Sequence, residues 1–178
     1  VHSNDPAKLP SGSAWPADAI IFALSTSSLS LSPELVVSGI NEGQNMGSVT
    51  PASGTIGAAR RARSNSVPAL ASSQGAFGPP PDYPTGTAAT LALVEEWRLG
   101  RTVNTTKSVL NINIPTCAVG FFVRGTVQTV VATDANNYTL QDCSSTAPAN
   151  SVISDIDAFN KGFISIADVG VTKPPNWP

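Results

Sequence analysis

The sequence predicts an α/β fold built on an open sheet of mostly parallel strands. Short apolar runs recur at the β-branched Leu35-Val36-Val37, at residues 67–71 and at residues 109–114, with helical spacing between them at residues 54–63 and 87–99. Strands covered on both faces read as continuous apolar runs, the mark of a parallel sheet. Strand alternating with helix is the order of an α/β fold, with right-handed crossovers between parallel neighbours.

Each element has a local reason. Residues 1–15 read as irregular, with Pro6, Pro10 and Gly12 among small polar residues. Pro16-Ala17-Asp18 opens a helix: Pro suits the first helical position because its missing N–H has no partner there, and Asp18 suits the positive helix end. Ile20, Ile21, Ala23 and Leu24 form its apolar face, and residues 25–32 break the pattern. Leu35-Val36-Val37 reads as a buried parallel strand, and residues 38–53 as a Gly- and Asn-rich loop. In the helix at 54–63, Ile56, Ala59 and Ala62 share one face. Residues 67–71 are the second strand, 72–84 a loop holding Pro79-Pro80-Pro81, 87–99 a helix ending near Gly100, and 109–114 a third strand closed by Pro115.

Beyond Pro115 the character changes. Residues 121–132 alternate like an antiparallel strand, with residues 138–141 as partner through an Asn136-Asn137 turn. Ser154 is a good N-cap for a helical turn at 154–161, residues 163–167 form a last strand, and the tail at 173–178 is Pro-rich and extended. The expectation is one domain, 1–178, with its α/β core at 1–115 and a β-rich segment at 116–178.

Composition narrows the function. Of 178 residues, 41% are apolar, enough for one core. Only 12% are charged and the net charge is -2, which argues against binding nucleic-acid duplexes by phosphate neutralisation. No apolar run approaches the ~20 residues that cross a bilayer. No leader is recognisable, and any leader would lie upstream of Val1. A surface poor in Lys and Glu hints at a secreted protein. Cys117 and Cys143 either pair as a disulfide, as an oxidising compartment permits, or stay as two buried thiols. With His2 the only histidine, a Cys/His metal site is disfavoured. The sequons at Asn104 and Asn137 are compatible with secretion.

In open α/β sheets ligands bind outside the carboxyl ends of the strands, which singles out the 38–53 loop. It reads Ser38-Gly39-Ile40-Asn41-Glu42-Gly43-Gln44-Asn45-Met46-Gly47 and leads into Ser53-Gly54-Thr55. Glycines such as Gly43 let backbone N–H groups approach an anion. Ser53, Gly54 and Thr55 sit where a helix begins, and its unpaired N–H groups and dipole favour a phosphate. The Asn41 carbonyl can ligate a hard cation. The competing reading is structural: a capping Ser, a Gly-rich turn, and Asn tolerant of unusual backbone angles.

These motifs closely resemble those of the SurE family. Pro33-Glu34-Leu35-Val36-Val37-Ser38-Gly39-Ile40-Asn41, Gly43-Gln44-Asn45-Met46-Gly47 and Ser53-Gly54-Thr55-Ile56-Gly57-Ala58-Ala59 carry the resemblance. Pro16-Ala17-Asp18, Val67-Pro68-Ala69-Leu70-Ala71, Leu110-Asn111-Ile112-Asn113-Ile114-Pro115 and residues 157–166 extend it in the right order, with Trp15 departing from the family's Thr. The resemblance implies a Rossmann-like three-layer fold with a β-rich C-terminal extension used in dimerisation. It implies hydrolysis of nucleoside 5′- or 3′-monophosphates with Mg or Mn, hence a nucleotide substrate and a homodimer. Asn41 would be a metal ligand; Gly43, Asn45, Ser53, Gly54 and Thr55 would line the phosphate end. The Cys117 and Cys143 contexts resemble a secreted branch.

The departures are equally concrete. Family members open with a strand ending in Asn-Asp-Asp-Gly, whose aspartates hold the metal, and a later loop serine is a further ligand. Neither is recognisable here. Ser3-Asn4-Asp5 echoes the motif, but Pro6 replaces the second Asp and the spacing to Pro16-Ala17-Asp18 is too short. The expectation is an N-terminally truncated chain lacking its first strands, with catalytic residues unassigned; a deletion joining the two regions would look the same. Glu42 reads as a solvated loop charge; Asp18, Asp155 and Asp157 as helix-start residues; Glu95-Glu96 as a solvated face. Arg60, Arg61 and Arg63 read as the outer face of the 54–63 helix, or one of them as facing a dimer partner. The readings in competition are a metal-dependent phosphatase, a non-catalytic homologue that at most binds phosphate or a partner, and an unrelated secreted α/β binding protein. A serine hydrolase is disfavoured: there is no G-x-S-x-G, and His2 lies in a terminus.

Overall fold

The computed structural model describes residues 15–25, 28–101, 108–133 and 140–171. His2, Ser3-Asn4-Asp5, both sequons, the Asn136-Asn137 turn and the tail at 173–178 lie outside the described residues.

The elements run α1 (Pro16–Leu24), β1 (Val36–Glu42), a 3-10 turn (Gly47–Val49), α2 (Gly54–Ser64), β2 (Ala69–Gln74), α3 (Tyr83–Arg98), β3 (Ser108–Ile114), β4 (Thr126–Thr129), α4 (Asp155–Asn160) and β5 (Ile164–Gly170). They form a five-stranded sheet in the order β1-β2-β3-β5-β4. β1, β2 and β3 are parallel, β5 is antiparallel to β3, and β4 is parallel to β5. The sheet is thus mixed and mostly parallel, as predicted.

Alternation along the strands sends side chains to opposite faces. Ala69, Ala71, Val109 and Val169 pack against Ile56, Ala59 and Ala62 of α2, with Ile20 of α1 beside them. Leu70, Leu110, Ile112 and Ile164 pack against Leu93 of α3. Helices therefore cover both faces, giving three layers. Every residue of β2 and β3 is buried, which explains why those runs carry no alternation.

Local chemistry sets the boundaries. The Asp18 carboxylate accepts the Trp15 N–H at 2.8 Å and closes the start of α1. Ser154 accepts the Asp157 N–H at 3.2 Å as the cap of α4. α3 begins earlier than predicted, at Tyr83 rather than near Thr87, because Asp82 caps it by accepting the Thr85 N–H at 3.2 Å and Pro84 occupies its first turn. Proline marks a helix start there, not loop.

Other expectations are corrected. β1 is parallel but forms an edge, and Val37 is 41% exposed rather than buried. The alternating stretch at 121–132 contributes only the short β4, whose observed partner is β5 in parallel; residues 140 and 141 are not strand. The arginines of α2 are half-buried rather than solvated: Arg60 donates to the Gly170 carbonyl at 2.8 Å and the Thr50 carbonyl at 3.3 Å. Cys117 and Cys143 form a disulfide, with Cα atoms 5.5 Å apart. Among the described residues no helix is long and apolar enough to cross a membrane.

Candidate phosphate site

The predicted metal and phosphate residues lie on the end of β1, the start of α2 and the connection between them, and the geometry begins inside β1. Ser38 pairs with Ala71 and Asn41 with Ser73, so β1 holds one extra residue between these points, a β-bulge. Gly39 lies there with φ +126°, and a Cβ on it would overlap the Ser72 carbonyl. A bulge bends its strand and re-aims the residues after it, here Asn41. The Asn41 Nδ2 donates to the carbonyls of Glu42 (3.0 Å) and Gly43 (2.7 Å), leaving Oδ1 uncommitted among the described residues. Gly43 N–H in turn donates to the Gln74 carbonyl at the end of β2, at 2.8 Å.

Asn45 is the anchor of the loop. Its N–H donates to Asn113 Oδ1 at 2.7 Å. Its carbonyl accepts from Asn111 Nδ2 at 2.7 Å and Asn113 Nδ2 at 3.3 Å. Its own Nδ2 donates to Ser73 Oγ at 2.8 Å. Asn45 is 7% exposed, and Ser73, Asn111 and Asn113 are fully buried. The side chain named from sequence as a phosphate contact thus spends its amide donor inside the fold, on Ser73 Oγ and, at 3.5 Å, on the Gly43 carbonyl. Asn111 Oδ1, also buried, has no hydrogen-bond partner among the described residues.

The next residues are equally fixed. Met46 is buried with Ala132, Ile156 and Phe159. Gly47 N–H donates to Asp155 Oδ2 at 3.1 Å, while Asp155 Oδ1 accepts the N–H groups of Ala132 and Ile156, each at 2.8 Å. Asp155 therefore starts α4 as expected and also clamps the loop.

At the far end of the connection, Ser53 Oγ accepts the Ile56 N–H at 3.2 Å and caps α2. The amides of Gly54 and Thr55 are left as first-turn donors with no helical carbonyl before them. Both residues are half-buried, and a Cβ on Gly54 would sit 3.1 Å from Pro16 Cγ, so the start of α1 abuts the start of α2. The structural reading and the anion-site reading of Ser53 are compatible: the hydroxyl caps while the amides beside it remain donors.

Charge at this end is sparse. Exposed Glu42 accepts the Tyr83 phenol at 3.0 Å. That hydrogen bond, then burial, then the carboxylate charge, raise the Tyr83 pKa above its ordinary value. Burial lowers the Arg60 pKa. Among the described residues no group of three or more His, Cys, Asp or Glu could hold a metal ion. A separate cleft, lined by Leu24, Leu31, Pro33 and Val67, lies at the amino ends of the strands, away from this connection.

Sequence reasoning missed Ser73, Asn111, Asn113 and the clamping role of Asp155. The signal was present in part: Asn111 and Asn113 stand two apart in an otherwise apolar strand, hence on one face.

A family model described as "Survival protein SurE" matches residues 2–141. The chain is 42% identical over 100 residues to a "5'-nucleotidase SurE" of Alkalilimnicola ehrlichii, covering 56% of this chain and 37% of that protein. It is 33% identical over 114 residues to a "5'-nucleotidase SurE" of Fervidobacterium nodosum, covering 63% and 43%. It is 41% identical over 83 residues to a "5'/3'-nucleotidase SurE" of Salmonella arizonae, covering 47% and 31%. The chain thus spans less than half the length of these curated relatives. In fold it matches the crystal structure of the SurE protein from Aquifex aeolicus with a TM-score of 0.70 at 20% identity, over 90% of this chain and 68% of that one.

Proposed function

Because the chain belongs to the SurE family, we propose that it serves the hydrolysis of phosphate monoesters, with nucleoside 5′- or 3′-monophosphates as substrates. The observation that carries this reading is the start of α2: the amides of Gly54 and Thr55, beside the Ser53 cap, stand at the end of a loop nailed to the carboxyl ends of β2 and β3. Donors of this kind, fixed in place, stabilise charge on a transferring phosphoryl group. The nucleotidase names of the relatives support the substrate class.

The Mg or Mn that the family resemblance implies meets a poor donor set in the described residues. Asn41 Oδ1 is a neutral oxygen, and no carboxylate cluster accompanies it. A hard dication takes several oxygens, anionic ones among them. These residues do not by themselves fit the ion; Asn41 is the ligand this chain would contribute. We further propose an extracellular location, supported by the Cys117–Cys143 disulfide, and a homodimer, supported by the open β1 edge and exposed Phe121 and Phe122.

The test is hydrolysis of nucleoside monophosphates and of an aryl phosphate by the purified chain, with Mg or Mn and with chelator, alongside light scattering for the dimer. Chelator-sensitive release of phosphate supports the reading. Phosphate binding without turnover under every metal condition overturns it in favour of a non-catalytic homologue.

A further inference from the structure

Gln141 bridges segments that are far apart in sequence. Its Oε1 accepts the Thr116 N–H at 2.7 Å, just beyond β3, and its Nε2 donates to the Phe77 carbonyl on the β2–α3 loop. Space for it is built in. A Cβ on Gly75 would overlap Gln141 Oε1 and come within 2.9 Å of Phe159 Cζ. A Cβ on Gly162 would lie 2.6 Å from Cys143 Cα and 2.8 Å from the Asp142 carbonyl. Two glycines therefore seat the 141–143 segment, and the Cys117–Cys143 disulfide ties it to the residue after Thr116.

The β2–α3 loop in turn touches the site. Ala76 N–H donates to Gln44 Oε1 at 3.3 Å, and Gln44 lies between Gly43 and Asn45. A continuous path runs from the disulfide through Gln141 to Phe77, then Ala76, then Gln44.

We infer that Gln141 is a positioning residue for the candidate site, and that the Cys117–Cys143 bridge is the latch that seats it. This rests on the phosphomonoesterase reading for its catalytic consequence, but not for its structural one. Gln141 touches neither the α2 amides nor Asn41; it acts by fixing the β2–α3 loop behind Gln44.

Amide hydrogen exchange on the full chain tests it, because the Ala76 N–H is not bonded to Gln141. In Gln141→Ala both Thr116 and Ala76 amides should exchange faster. Gln141→Glu keeps the acceptor for Thr116 but loses the donor to Phe77, so Ala76 should speed up while Thr116 stays protected. Cys117→Ala/Cys143→Ala should reproduce the Gln141→Ala pattern with the β3 core amides unchanged. In turnover, both Gln141 variants should raise KM for a nucleoside monophosphate about tenfold, the scale of one hydrogen bond, and leave kcat within about twofold. Wild-type protection at Ala76 in both Gln141 variants overturns the proposal. So does fast exchange at Ala76 with an unchanged KM. If the wild-type chain shows no turnover, the functional reading fails, and Ala76 exchange alone decides the role of Gln141.

Discussion

Asn113 holds both backbone polar groups of Asn45: its Oδ1 accepts the Asn45 N–H at 2.7 Å and its Nδ2 reaches the Asn45 carbonyl at 3.3 Å. A side chain in the interior of β3 thus imitates a neighbouring strand and gives the loop a register. Asn113→Ala leaves the Asn45 N–H buried without an acceptor. The expected cost is about 1–3 kcal/mol, read from urea unfolding, with KM for a nucleoside monophosphate raised as well. Asn111→Ala should cost less, since the Asn45 carbonyl keeps its bond to Asn113 and the variant also removes the orphaned Asn111 Oδ1.

Ser53 allows stability and function to be separated. Ser53→Ala removes the cap of α2 and should destabilise by about 1 kcal/mol. Ser53→Asp keeps a capping acceptor but sets a negative charge beside the Gly54 and Thr55 amides. Unfolding should then match the wild type while phosphate release drops sharply. Equal activity in the wild type and Ser53→Asp would remove the α2 start from the site.

Asn41 is predicted to matter through Oδ1. Asn41→Asp supplies oxygens but cannot donate to the Glu42 and Gly43 carbonyls. Asn41→Ala supplies neither. Both should lower kcat/KM in assays with Mg or Mn, Asn41→Ala the more, because it removes the Oδ1 ligand as well as the two loop hydrogen bonds. Turnover assays at saturating and limiting nucleotide separate the two.

The pH dependence has a defined sign at Tyr83. Its pKa is raised because the neutral phenol donates to the Glu42 carboxylate. The fold favours the protonated form, so this tie is fully present below the unfolded phenol's pKa of about 10 and is lost as pH rises through the higher folded value. Absorbance titration should place Tyr83 above free tyrosine, and Glu42→Gln should bring it down. Asp142 has the opposite sign. Its pKa is lowered, first by the Ser144 hydroxyl, so its contribution is lost as pH falls through the acid range.

Gly39→Ala probes the bulge. With φ at +126° and the Ser72 carbonyl in the way, the variant should lose on the order of 1–3 kcal/mol or more. Its site defect should exceed that of an equally destabilising core variant, because Asn41 is aimed by the same bulge.

How far the sequence reached follows from the range of each interaction. α2 and β3 were legible because their signals are local: Ile56, Ala59 and Ala62 on one face, and the Ile112 and Ile114 run between polar residues. The start of α3 was missed because Pro79-Pro80-Pro81 weighed as loop, while the deciding Asp82 cap sits only just beyond. β1 was read as covered on both faces because its Leu-Val-Val run is the same whether a strand is central or at an edge. At the site, Gly43, Ser53 and Gly54 were visible as a motif on one connection. Their supports, Ser73, Asn111, Asn113 and Asp155, lie tens of residues away and carry no motif that pairs them with Asn45 or Gly47.

By composition the stretch from Gly43 to Gly47 would be expected to wander through many backbone states. Clamped by Asn113, Asn111, Ser73 and Asp155, it is ordered before any ligand arrives. On the proposed reading, an anion reaching it would meet a surface whose conformational entropy was surrendered during folding, and less of its contact energy would be consumed in freezing the loop.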